Sequence, residues 1–252
     1  MKPLPLFFVV FVVCFFIIII IPQLSRVHFS RTAALPVSVT AVAPGFAVAE
    51  TGLLIDEAPA LHTGELMDDP SLVEFATHLI NGQTDQVVGV YAPGLFALPV
   101  NQQPSGQPDY VNRENGLVTE FALPRKYGST GLLAHNYLSG SNFFQLQPGQ
   151  DVVAVYGDGQ LKHYRVDDIL AFRALKPNSP FSDFVDLSDP DRTLLSSADL
   201  FNRVYTTDDT LVFQTCIDND GEPSWGRIFI VADLVEPLQL RIPVIFPWAS
   251  LN

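Results

Sequence analysis

From Gln86 onward the chain is a succession of short β-branched or aromatic runs bounded by turn residues. This punctuation leaves little room for long helices. The runs cover residues 87–91, 116–123, 131–134, 151–156, 160–166, 169–175, 210–216 and 227–235. About eight strands with few helices predict a mainly β domain closed into a barrel, because closure removes the edges at which unpaired N–H and C=O groups invite aggregation. The sharpest hairpin joins Val152-Val153-Ala154-Val155-Tyr156 to Leu161-Lys162-His163-Tyr164-Arg165 through Gly157-Asp158-Gly159. Residues 101–112, rich in Gln, Pro and Gly, read as a surface loop. Residues 197–201 read as a turn or two of helix.

One further helix is expected before the strands. Asp69 is its N-cap and Pro70 its first residue, where a missing N–H costs nothing. Leu72, Phe75, Ala76, Leu79 and Ile80 form an apolar stripe that predicts packing against the barrel, and Asn81-Gly82 is the stop.

Residues 4–21 are apolar apart from one proline and long enough to span a bilayer, with Lys2 before them and Arg26 and Arg31 after. The run is longer than a signal-peptide core and no small-x-small site follows it closely, so the reading is an uncleaved anchor. The expected organisation is an anchor over residues 1–24, a stalk over 25–65 and one barrel domain with its N-terminal helix over 66–252. With 252 residues and 48% hydrophobic content, one sizeable core is the natural count.

All 27 acids occur from Glu50 onward, against 14 Lys and Arg of which Lys2, Arg26 and Arg31 precede them; the formal net charge is −13. No basic cluster interrupts the acidic part, which argues against nucleic acid as a partner. Cys14 lies inside the apolar segment, so Cys216 has no intramolecular partner in the rest of the chain. A lone thiol in an oxidising compartment calls for a reason, and nucleophilic chemistry supplies one; burial as a small hydrophobe is the competing reading.

A thiol attacks as thiolate and needs a group that takes its proton. His135 is the best placed of the five histidines: it ends the apolar run Leu132-Leu133-Ala134 and opens a loop, where a scaffold can hold a reactive group at the surface. Arg227 opens the strand that follows Cys216, and a guanidinium aimed at a developing oxyanion is worth about 3 to 4 kcal/mol. A salt bridge to Asp218, Asp220 or Glu222 is the competing role for Arg227. Asn136 and Thr215 are neighbouring hydrogen-bonding candidates, and Trp225 is a candidate wall of a substrate groove. Asp218-Asn219-Asp220-Gly221 has the look of a calcium loop, but Cys216 and Arg227 would then fill ligand positions that need acids.

These segments resemble the sortases, cysteine transpeptidases of the bacterial surface. The similarity lies in a strand ending in Thr215-Cys216, an Arg on the next strand, and a His that follows an apolar strand and precedes Phe143-Phe144-Gln145-Leu146-Gln147-Pro148-Gly149-Gln150-Asp151-Val152-Val153. It spans roughly the last two-thirds of the chain. Gln214 before Thr215, Asn136 after His135 and the long 174–209 segment depart from the family pattern. The resemblance implies a sortase β-barrel outside the cytoplasm, no cofactor, and Cys216, His135 and Arg227 as nucleophile, acid–base and oxyanion donor. It implies as partners secreted proteins carrying a C-terminal sorting motif and an amine acceptor of the cell wall or another protein. Hydrolysis through the same thioester and a catalytically silent surface binding module are the alternatives.

Overall fold

In the computed structural model the order of the strands along the sheet returns to its own beginning. The model describes residue 66 and residues 69–235 and 240–242. The expected anchor, the stalk and Cys14 lie outside the described residues, among which no helix is long and apolar enough to cross a membrane. The strands are β1 (Val87–Ala92), β2 (Phe96–Gln102), β3 (Val118–Phe121), β4 (Thr130–Leu133), β5 (Asp151–Tyr156), β6 (Gln160–Ala174), β7 (Phe184–Asp186), β8 (Leu194–Leu195), β9 (Thr210–Asn219), β10 (Glu222–Leu234) and β11 (Leu240–Arg241). Hydrogen bonding runs β10-β9-β4-β3-β2-β1-β5-β6, and β6 then pairs with β10 from Tyr164↔Leu234 to Arg173↔Gly226. Eight strands therefore close into a barrel. The β2–β3 and β4–β9 pairs are parallel and the others antiparallel.

Alternation of side chains along each strand sorts the apolar residues into two sets. Val90, Leu98, Val118, Leu132, Val152, Tyr164, Leu211, Phe213 and Ile230 point into the barrel. There Phe213 meets Phe96 and Phe143 with ring centroids 6.1 and 5.0 Å away, edge to face. The residues between them face outward and are covered in two places. Helix α1 (Pro70–Leu79) lays Leu72, Phe75, Ala76, Leu79 and Ile80 on Val88, Tyr91, Val153, Val155 and Leu161. Its cap is the expected one: Asp69 accepts from the Ser71 amide at 2.9 Å. Helix α2 (Ser197–Tyr205) sets Leu200, Val204 and Tyr205 on Val212, Phe172 and Phe229, with Ser196 as its N-cap. Each fully buried Leu or Phe of these clusters contributes about 1.5 to 3 kcal/mol.

Several expected boundaries are corrected. The runs 160–166 and 169–175 are one strand, β6, because a bulge at Asp167 lets β10 slip from Ala232↔Val166 to Val231↔Asp168 without ending the ladder. Strand β2 is an addition to the expected runs, since Pro99 interrupts its apolar pattern; its register places Pro99 opposite Gly89 while Val100, Asn101 and Gln102 pair with β3. Asn101 and Gln102 thus belong to the sheet rather than to the loop expected at 101–112, and Asn112 is buried. Strands β9 and β10 extend past Cys216 and begin before Arg227. Asp220 and Gly221 both have positive φ, 51° and 81°, the two-residue turn whose twist matches a hairpin. That turn zips the two strands together beyond the point where apolar character stops. The Gly157-Asp158-Gly159 hairpin is as expected, with Gly159 at φ +85°.

Candidate active site

Register brings Cys216 and Arg227 together. They are directly opposed across the antiparallel β9–β10 ladder, so their side chains leave the same face with Cβ atoms about 5 Å apart. That face is the outer one, shared with Gln214 and with Phe229, which oppose each other one pleat earlier. On the other side of β9, the parallel partner of Gln214 is Leu133. Beyond Leu133 the chain runs through Ala134 to His135, which lies past the end of β4.

The chain holds that register one residue beyond the end of β4. The Ala134 amide donates to the Gln214 carbonyl at 3.3 Å, and the Thr215 hydroxyl donates to the Ala134 carbonyl at 2.8 Å. His135 then starts the turn, its carbonyl accepting from the amides of Leu138 at 2.9 Å and Gly140 at 3.0 Å. Gly140 lies against Thr215 so closely that a Cβ there would stand 2.4 Å from Oγ1 and 2.7 Å from the His135 carbonyl oxygen. Thr215 is 2% exposed and faces inward. Its hydroxyl ties the His135 loop to β9, the strand that carries Cys216.

The His135 ring stacks on Tyr137 at 5.2 Å between centroids and 21° between planes. Its Nε2 is buried and has no hydrogen-bond partner among the described residues. Burial is the main cause that holds its pKa below 6.5, the Arg113 charge adds to it, and the Val111 backbone opposes both. Val111 and Arg113 belong to a segment that lies over the imidazole: residues 109–114 and His135 line a cavity of about 430 Å³.

Arg227 is fixed by main-chain oxygens. Its Nη1 donates to the carbonyls of Ser224 at 2.9 Å and Gly226 at 2.8 Å, and its Nη2 to that of Pro177 at 3.0 Å. No ion pair to Asp218, Asp220 or Glu222 forms among the described residues. These bonds engage three of its five N–H donors and orient the rest. Arg227 stands at one side of a second cavity of about 280 Å³, walled by Phe121, Leu133, Leu200, Phe201 and Phe229 with Gln214 and Tyr205. Asp109 and Val111 line both cavities.

The remaining candidates lie on the His135 loop and the β9–β10 hairpin. Asn136 donates from Nδ2 to the Pro223 carbonyl at 3.0 Å, joining the His135 loop to the β9–β10 hairpin. Trp225 is half-buried on that hairpin and lines neither cavity. Among the described residues no group of three or more His, Cys, Asp or Glu is arranged to hold a metal ion.

No protein-family model and no curated protein matches the chain. Solved structures similar to it include sortase E1 from Streptomyces coelicolor with a tripeptide in the active site, at 19% identity over 62% of this chain and 91% of that one, with a TM-score of 0.37. Others are sortase A from Listeria monocytogenes, 14% identical over 60% and 89% with a TM-score of 0.38, and sortase C from Clostridium perfringens, 14% identical over 70% and 93% with a TM-score of 0.39. The chain is similar to the sortases.

Sequence reasoning passed over Gln214, Tyr205, Val111 and Arg113. Gln214 was within reach, since a residue two before Cys216 on a strand shares its face. The other three reach the site from α2 and from the β2–β3 connection, and no local pattern reports such long-range contacts.

Proposed function

We propose that the protein is a sortase-like cysteine transpeptidase. The observation that carries the reading is the direct opposition of Cys216 and Arg227 across β9 and β10, with the loop that His135 opens tied to β9 by the Thr215 hydroxyl. In this reading the Cys216 thiolate forms a C–S bond to a peptide carbonyl carbon. The free N–H groups of Arg227 face the oxygen as it gains charge. The C–N bond then breaks, and the leaving amine takes its proton from protonated His135, leaving a thioester and a neutral imidazole. An incoming amine attacks the thioester, gives its proton to His135, and restores the thiolate.

The partners proposed are secreted proteins bearing a C-terminal sorting motif and an amine of the cell wall or of another protein. The apolar segment 4–21 is proposed to hold the domain at the membrane, outside the cytoplasm. The test is intact-protein mass spectrometry with a peptide pool, with and without hydroxylamine, beside Cys216→Ala. An acyl adduct on the parent and hydroxamate products are expected. Acid products that hydroxylamine leaves unchanged would make the protein a hydrolase, and the lack of any Cys216-dependent adduct would leave a binding barrel.

A further inference from the structure

Gln214 occupies a position where its side chain is both held and half spent. It lies on β9 on the outward face, two residues before Cys216, and lines the same cavity as Arg227. Its Oε1 accepts from the Tyr205 hydroxyl at 2.6 Å. Tyr205 is 2% exposed, and its ring packs against Phe121 at 5.6 Å, Phe201 at 5.3 Å and Phe229 at 6.1 Å between centroids. Its own carbonyl is anchored by the Ser129 hydroxyl at 2.7 Å. Burial raises the pKa of the phenol, so the hydroxyl keeps its proton and remains the donor.

A carboxamide has an acceptor end and a donor end. With the acceptor end occupied by Tyr205, the orientation of the amide is set and Nε2 is left to donate. No hydrogen bond from Nε2 forms among the described residues, and it is not a buried orphan. The cavity that Gln214 lines has Phe121, Leu133, Leu200 and Phe229 among its walls, with Asp109, Ser179 and Ser197 as polar members. A directed donor in a cleft discriminates between ligands, because a ligand without an acceptor there strips the donor of water and returns nothing.

We infer that Gln214, clamped by Tyr205, is a specificity-determining residue whose Nε2 donates to an oxygen of the bound peptide about two residues from the carbonyl that Cys216 attacks, the spacing that a rise of about 3.3 Å per residue sets along both strand and extended peptide. The inference rests on the peptide-cleaving function proposed above. The oxygen is either a side-chain acceptor or a peptide carbonyl.

The experiment measures kcat and KM for the parent, Gln214→Leu, Gln214→Glu and Tyr205→Phe on a fluorogenic peptide pool. Each position flanking the scissile bond is varied between Thr and Val and between Asn and Leu. A side-chain acceptor gives the parent a preference of about five- to tenfold for Thr or Asn at one position, carried by KM and lost in Gln214→Leu. A carbonyl acceptor gives instead a uniform rise in KM of about the same size on every peptide, with kcat kept. Gln214→Glu keeps the bond to Tyr205 but has no N–H to donate, so it behaves as the Leu variant does while folding like the parent. Tyr205→Phe frees the amide to turn and blunts the preference in part. A Gln214→Leu variant with the parent's ranking and KM overturns the inference alone, as does one that loses only kcat and thermal stability. A parent that cleaves nothing in the pool overturns the proposed function and this inference with it.

Discussion

The Thr215 hydroxyl donates to the Ala134 carbonyl at 2.8 Å, joining the residue before the thiol to the residue before the imidazole. Both partners are buried, and the contact lies where β4 parts from β9. Thr215→Val keeps the shape and removes the donor, stranding a buried carbonyl at a cost of about 1 to 3 kcal/mol. Loss of the tie lets the His135 loop drift, and displacement by about 1 Å at a reacting group costs about a hundredfold in rate. Steady-state kinetics of Thr215→Val are expected to show a fall in kcat of about ten- to a hundredfold, and Thr215→Ser is expected to restore most of it. Parent-like turnover by the valine variant would remove the tie from the mechanism.

Replacing Cys216, the proposed nucleophile, separates chemistry from folding. Cys216 is half-buried on the outward face, with no disulfide, and its sulfur fills none of the three apolar clusters. Cys216→Ala is therefore expected to abolish turnover while changing stability by about 1 kcal/mol or less. Peptide turnover above the buffer control would end the covalent mechanism.

The barrel was legible because most of its strands are β-branched or aromatic runs between turn residues, and closing about eight strands removes the unpaired edges. What escaped was each place where local composition and sheet pairing disagree. Pro99 breaks the pattern of β2, yet the strand pairs on both sides of it. Asp167 and Asp168 read as a break, yet exposed acids at a bulge cost β6 nothing because they face water. Of the candidate residues, Cys216 and Arg227 stand on strands and His135 at the start of the turn after β4, and all three announced themselves in the sequence by residue type alone. The groups that condition them did not: Tyr205 comes from α2, and Arg113 and Val111 come from the β2–β3 connection, brought in only by the closed fold.

Arg227 is held by the carbonyls of Ser224, Gly226 and Pro177, so its loss is felt in both folding and rate. Hydrogen bonds to a charged group are worth about 1.5 to 3 kcal/mol each at most, less where water reaches them. Arg227→Ala is expected to lower Tm modestly, because the link from β10 to the 175–183 connection is cut. It is also expected to reduce kcat/KM by about a hundredfold or more, the range for removing an oxyanion donor. Arg227→Lys keeps the charge without the fork and is expected to retain little activity. Thermal melts beside peptide cleavage rates decide the case: a lowered Tm with a normal rate would return Arg227 to a purely structural role.

The imidazole offers a test through pH. Burial first, and the Arg113 charge second, hold the His135 pKa below 6.5, while the Val111 backbone pulls the other way. The folded state thus favours the neutral ring. In this group's contribution, stability is full above pH 6.5 and is lost as pH falls from 6.5 through the lowered folded value. A neutral ring near pH 7 is the form that accepts the Cys216 proton, so the acid limb of kcat/KM is expected below the ordinary histidine range. Arg113→Gln removes one of the two lowering causes and leaves burial in place. The His135 titration followed by proton NMR is expected to move upward in that variant, toward 6.5 without passing it, and the acid limb of the rate profile is expected to move with it. An NMR titration that does not shift would deny the Arg113 charge its part, and an acid limb that stays put while the titration shifts would remove His135 from the proton transfer.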